Sequence, residues 1–182
     1  MVRKHLDSLL IRQAHQDDVP AITAIYGHHV RHGLASFEEQ PPDTAEMHRR
    51  MADLQTNGFP YLVAELAGKV VGYSYAGPYR TRPGYRYSAE CSVYLDEAAQ
   101  GHGIGKALLA SIVERCTEAG YRQMVAVIGD SENVASIGLH ASLGFEMTGK
   151  LHAIGFKHGR WVDSVLMQRP LGEGAETLPA AE

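Results

Sequence analysis

Three groups of residues in this sequence stand where chemistry is possible. The first is a glycine run, Gly101-His102-Gly103-Ile104-Gly105-Lys106, which follows an extended stretch ending near Leu95 and leads into an apolar-periodic segment. Glycines there let backbone N–H groups approach a ligand with no side chain in the way. The start of the following helix adds unpaired N–H groups and a positive dipole end. Together these features describe a phosphate site. The spacing restricts which phosphate. A Walker loop needs Ser or Thr after its lysine, and Lys106 is followed by Ala107. The dinucleotide fingerprint G-x-G-x-x-G also fails. Gly105 comes one residue early, and the loop lies mid-chain rather than after a first strand.

The second is Glu90, flanked by Ala89, Cys91 and Ser92. A carboxylate among small and apolar neighbours on a strand is out of place unless it faces a cleft. Burial there raises its pKa toward the range of a general base. The third is the pair Arg80 and Arg82, on the connection before Tyr85. Two guanidinium groups at a cleft suit a carboxylate or phosphinate held through bidentate contacts. A further temptation is His28, His29 and His32, since residues 28 and 32 share a helix face as zinc ligands can. No third ligand or HExxH pattern accompanies them, and no metal is expected.

The elements that must position these groups are legible from periodicity. Leu9 to Ala14 reads as a strand. Asp17 and Asp18 precede an apolar stripe of Val19, Ile22, Ile25 and Tyr26, a helix ended by Gly33. A loop carrying Phe37 and Glu38 leads to Asp43 and Glu46, a capping-box pair opening a second helix that ends near Gly58. Tyr61–Leu66 and Val70–Tyr79 flank the hairpin signal Ala67-Gly68-Lys69, and Tyr85–Leu95 reads as another strand. Gly103–Ala119 is helical. Met124–Ile128 is an apolar run of the kind found in buried central strands. Asn133–Leu143 is a helix closed by Gly144. Phe145–Phe156 and Trp161–Gln168 are strands around the turn Lys157-His158-Gly159-Arg160. The order predicts an α/β fold, a mixed central sheet flanked by helices. We expect one domain over residues 1–171 and a disordered tail over 172–182.

Composition narrows the partners. The formal net charge of −4 gives no general pull toward nucleic acid or anionic lipid, so a small-molecule substrate is expected. Two isolated cysteines, Cys91 and Cys116, suit a reducing compartment better than a disulfide scaffold. No apolar run reaches membrane-spanning or signal-peptide character, so neither membrane association nor export is expected, and a cytoplasmic location is.

The motif Gln100-x-x-Gly103-x-Gly105 resembles the pyrophosphate-binding motif of the GNAT acetyltransferases. The resemblance extends over residues 9–169. It implies the GNAT acyl-CoA N-acyltransferase fold and acetyl-CoA as co-substrate, with Val93, Tyr94 and Leu95 pairing their backbone with the pantetheine arm. Asn133, Ser136 and the run Leu139-His140-Ala-Ser142-Leu-Gly144-Phe145 match the family's second cofactor segment. The strands around Glu90 and Val125–Gly129, with Gly155-Phe-Lys-His-Gly-Arg-Trp161, look like the phosphinothricin-type branch. That branch acetylates the α-amine of glutamate-like amino acids: phosphinothricin, methionine sulfoximine and arsinothricin. It also implies a homodimer, with the segment 145–169 near the interface.

The reaction sets three demands. The amine arrives as ammonium, so a base must take a proton; the resemblance puts the catalytic glutamate at Glu90. The oxyanion needs a donor, for which a backbone N–H near Tyr94 or Leu95 is the candidate. The departing thiolate prefers a proton, and His140 stands where many family members carry a tyrosine. It either donates a proton or orients the thioester. Phe37 and Glu38, with Pro83, Gly84 and Tyr85 beside the two arginines, fall where the family shapes its acceptor pocket. Rival readings are a different amine acceptor, a non-catalytic acetyl-CoA-binding module, and a dinucleotide-binding domain. The arginines speak against a polycation, Glu90 against a pure sensor, and the glycine spacing against a dinucleotide.

Overall fold

The structure, a computed structural model, describes residues 8–179. Seven strands form one sheet in the order β1-β2-β3-β4-β5-β7-β6. They are β1 (Leu9–Gln13), β2 (Tyr61–Leu66), β3 (Lys69–Pro78), β4 (Ser88–Leu95), β5 (Gln123–Gly129), β6 (Glu146–Lys157) and β7 (Arg160–Pro170). Four helices cover it: α1 (Val19–His32), α2 (Thr44–Thr56), α3 (Ile104–Glu118) and α4 (Val134–Ala141). All pairings are antiparallel except β4 with β5.

Alternation along the strands divides the core between the two faces. Leu62, Ala64, Ala76, Ala89, Cys91, Met124 and Ala126 meet Leu108, Leu109, Ile112 and Cys116 of α3. The small residues let α3 approach the sheet closely. Tyr61, Val63 and Tyr73 point the other way, under Ile22, Ile25, Tyr26 and Val30 of α1 and Met47 and Met51 of α2. Each large side chain so buried contributes about 1.5–3 kcal/mol. Asp43 caps α2 by accepting from the Glu46 amide at 2.8 Å.

Several boundaries differ from the sequence reading. The strand expected from Tyr85 begins at Ser88, because Pro83–Tyr85 form a short 3-10 turn closed by Tyr85 N–H donating to Arg82 O. β5 runs one residue further at each end than Met124–Ile128. β6 continues through Lys157, leaving His158 and Gly159 as the turn. From Gly172, where a disordered tail was expected, the described residues run as turns. Arg122 donates to Thr177 Oγ1 at 2.7 Å and lies 3.5 Å from the Glu173 carboxylate. Residues 1–7 of the expected domain and 180–182 of the expected tail lie outside the described residues.

Candidate active site

The sheet opens in its middle. β4 and β5 keep register only from Ser88↔Gln123 to Cys91↔Ala126. Beyond that, β4 stays paired with β3 as far as Gly72↔Leu95, and β5 stays paired with β7 as far as Gly129↔Ser164. Each strand follows its antiparallel partner, so the two part and leave a cleft. Its walls are Ser92–Tyr94 and Val127–Gly129, with Asn133 at the cap of α4, Ser136 and His140 within that helix, and Ala35.

Hydrogen bonds fix which amides face this cleft. Tyr79 N–H donates to Ser88 O and Asp96 N–H donates to Val71 O. In an antiparallel ladder these bonded positions recur every second residue. The even-numbered residues of β4 therefore bond to β3, and Val93 and Leu95 turn their N–H groups toward β5. Tyr94, offered with Leu95 as the oxyanion donor, spends its amide on β3. His29 of α1 donates from Nε2 to Leu95 O at 2.7 Å, and its ring lies 5.5 Å from that of Tyr94. His28 and His32 face one another with ring centroids 4.8 Å apart.

The glycine loop continues from the open end of β4. Gly101 and Gly103 have φ values of 77° and 80°, a region where an L side chain is strained. A Cβ added at either meets nothing within 4 Å. The conformation therefore demands glycine, while the space outside the backbone is free for a ligand. Gly103 is the N-cap of α3, so the amides behind it lack intrahelical acceptors. His102 and Lys106 are exposed, whereas Ile104 is buried. Gly105 is buried because it packs the helix start on Leu95 and Leu139, 3.3 and 3.4 Å from an added Cβ.

Glu90 shares a face of β4 with Ser92 and Tyr94, the face toward α1 and α2. Among the described residues no hydrogen bond ends on its half-buried carboxylate, and burial raises its pKa. Burial, and to a lesser degree the Glu90 charge, raises the pKa of Tyr75 on the adjacent strand. His140 is 3 % exposed, and burial lowers its pKa. Its Nδ1 lies 2.8 Å from Ser136 O, which can only accept, so Nδ1 carries the proton. Nε2 is then a bare acceptor, 3.8 Å from Cys91 Sγ. Asn133 Oδ1 caps α4 by accepting from the Ser136 amide at 3.1 Å, and Ser142 Oγ donates to Leu139 O at 2.8 Å, closing the other end.

The acceptor-side residues come from separate segments. Arg80 lies over the rings of Tyr79 and Tyr85, 5.1 and 5.6 Å from their centroids. Arg82, Pro83 and Gly84 are exposed on the same turn. Neither Arg80 nor Arg82 pairs with a carboxylate among the described residues. Phe37 is 41 % exposed and lies against Gly155 of β6. Glu38 is not free: Tyr26 donates to it at 2.9 Å and Arg50 at 2.7 Å.

The acetyltransferase (GNAT) domain family matches residues 11–166. This chain belongs to that family. It is 54% identical to the phosphinothricin N-acetyltransferase of Alcaligenes faecalis over 169 residues, 93% of this chain and 86% of the relative. It is 41% identical to the L-methionine sulfoximine/L-methionine sulfone acetyltransferase of Salmonella typhimurium, over 92% of this chain and 97% of the relative. A GNAT-superfamily phosphinothricin acetyltransferase from Sinorhizobium meliloti, solved in complex with AcCoA, superposes with a TM-score of 0.92 at 49% identity, covering 95% of this chain and 94% of that one.

Within this GNAT chain, the glycine loop follows β4 and opens α3, as the sequence placed it. Sequence reasoning did not find Ala35 on the cleft wall, nor Tyr75 on the strand adjacent to Glu90. Tyr75 carried a signal, since four tyrosines at positions 61, 73, 75 and 94 exceed what a plain core needs. Ala35 carried none, because nothing local says which strand a loop will cover. No described helix is long and apolar enough to cross a membrane.

Proposed function

We propose that this enzyme transfers the acetyl group of acetyl-CoA to the α-amine of a glutamate-like amino acid of the phosphinothricin, methionine sulfoximine or arsinothricin type. The observation that carries the reading is Glu90, a desolvated carboxylate beside an opened sheet that ends at an anion cradle. The names of the similar proteins support the acceptor class.

The residues fit acetyl-CoA. Val93 and Leu95 offer unpaired strand amides to a pantetheine arm, and the open space over Gly101 and Gly103 suits a pyrophosphate. The co-substrate supplies an activated acetyl thioester. Glu90 takes the ammonium proton, its raised pKa bringing it nearer the working pH. The Leu95 or Val93 N–H is the donor aimed at developing negative charge. His140, neutral with a bare Nε2, suits orientation or proton acceptance rather than proton donation to a thiolate. Arg80 and Arg82, unpaired with any carboxylate among the described residues, hold the acceptor's acidic groups.

The decisive experiment is a thiol-release assay across phosphinothricin, methionine sulfoximine, methionine sulfone and arsinothricin. Turnover on at least one, lost by about 2–5 kcal/mol in kcat/KM when Arg80 and Arg82 are both Ala, supports the reading. Turnover on none, or an unchanged double variant, overturns it. A homodimer belongs to the same proposal. β6 is a sheet edge, and Met147, Ile154, Phe156 and neighbouring Trp161 are each more than half exposed. A patch of this kind suits an interface, and light scattering should return twice the chain mass. The two buried free thiols are consistent with a cytoplasmic home.

A further inference from the structure

Lys157, at the end of β6, is 3 % exposed, and its ammonium donates to Ser36 O at 2.6 Å. A buried lysine is costly to keep, and this one is spent on a neutral carbonyl. Burial lowers its pKa, with the charges of Glu38 and Glu39 acting the other way. Glu38 itself is committed to Tyr26 and Arg50.

Ser36 lies in the middle of a segment held at several points. A Cβ on Gly129 would sit 2.1 Å from Leu34 O, so the segment rests directly on the end of β5. A Cβ on Gly155 would sit 2.7 Å from the Phe37 ring. The Tyr26 hydroxyl lies 2.8 Å from Ser36 Oγ and 2.9 Å from Glu38 Oε1, and the Tyr26 ring meets the Tyr94 ring edge-on at 5.1 Å. Between these anchors, Ala35 lines the cleft.

We propose that Lys157 is a positioning residue for the acceptor: its bond to Ser36 O, with the close backbone approaches at Gly129 and Gly155, fixes the 34–38 segment as the wall of the open β4–β5 cleft. The inference rests on the reading of that cleft given under Proposed function. Ala35 shares the cleft with Val93, Tyr94 and α4, but among the described residues no hydrogen bond joins the 34–38 segment to the 101–106 loop or to α3, where the pyrophosphate would be held. Displacing the wall therefore separates the two substrates kinetically.

The test uses the full chain, with phosphinothricin as acceptor probe. Lys157→Met keeps the stem and removes the donor. It should raise the acceptor KM by about tenfold or more while the acetyl-CoA KM stays within about twofold, since small misplacements at a site cost such factors. Gly155→Ala pushes on Phe37 from the other side and should give the same split; it decides the matter if Lys157→Met does not fold. A folded variant with both KM values unchanged, or with both raised alike, overturns the proposal. Amide hydrogen exchange reads it without turnover, so failure of the acceptor assignment stays distinguishable. Exchange over 34–38 should quicken in Lys157→Met while α3 and the 101–106 loop keep parent rates, and unchanged exchange over 34–38 also overturns it.

Discussion

The two halves of the cleft are built by different means. On the proposed reading, the cofactor half is mostly backbone: the amides of Val93 and Leu95, two glycines at positive φ, and the first turn of α3. On the same reading, the acceptor half is mostly side chains drawn from distant segments, with Glu90 on β4, Arg80 and Arg82 on the turn before it, Phe37 between α1 and α2, and β6 behind it. Backbone sites constrain residue type, since only glycine tolerates those angles without strain. Side-chain sites constrain only the outcome of folding. The first half should be intolerant of substitution and indifferent to pH, and the second should be tunable and pH-dependent.

The largest effect that would sharpen this contrast is at Glu90. Glu90→Gln preserves shape and removes basicity, so turnover should drop by about 10²–10⁴-fold while the acetyl-CoA KM barely moves. The deficit should narrow as pH rises, because more of the amine is then neutral. Stability should move the opposite way to activity. The folded state holds Glu90's proton to a higher pH than the unfolded chain does, so ionisation costs stability above the ordinary carboxylate value of 4.5. Glu90→Gln should therefore be more thermostable than the parent near pH 8, with the difference fading below pH 4.5. Parallel pH–rate profiles with similar turnover would remove Glu90 from the mechanism and make His140 the next base to test.

A smaller effect tests the backbone half. Gly103 and Gly58 share a φ of 80°, and a Cβ at either meets nothing within 4 Å. Valine at both costs the same kind of strain, about 1–2 kcal/mol. Only Gly103 lies in the anion cradle. Gly103→Val should raise the acetyl-CoA KM about tenfold, equivalent to about 1.4 kcal/mol, whereas Gly58→Val should lower the melting temperature and leave KM alone. Equal KM values in the two variants would detach the loop from acetyl-CoA.

The same division explains what was legible in the sequence. The strand and helix order followed from periodicity and caps, because each element carries its own signal over many residues. The glycine loop was legible because a backbone conformation is written in residue type. The start of β4 was misplaced by three residues because alternation from Tyr85 continued through a turn that Pro83 and Gly84 set up. Lys157 looked like a turn residue beside His158 and Gly159; its burial depends on where the 34–38 segment crosses, which no local pattern encodes. Glu38 was offered as an acceptor contact, and its carboxylate accepts from Tyr26 and Arg50. Such pairings between α1, α2 and the intervening loop exist only after packing.

The smallest effect concerns His140, on α4 where the two halves meet. Its ring is buried, meets Phe145 edge-on at 5.1 Å, and gives its Nδ1 proton to Ser136 O. Burial lowers its folded pKa below the ordinary 6.5. The unfolded chain therefore binds this proton at a higher pH than the folded chain does. The sign follows: the neutral ring costs nothing above pH 6.5, and stability is lost as pH falls below 6.5 toward the lowered folded value. Each pH unit in that window removes at most about 1.4 kcal/mol. His140→Gln cannot titrate, so denaturant melts at pH 8 and pH 5 should show a smaller acid loss in the variant than in the parent. The other nine histidines are common to both proteins, and the difference between the two slopes isolates this one. Identical slopes would mean that His140 is charged in the folded enzyme near pH 6. Nε2 would then carry a proton, and the role of thiolate acid would return to it.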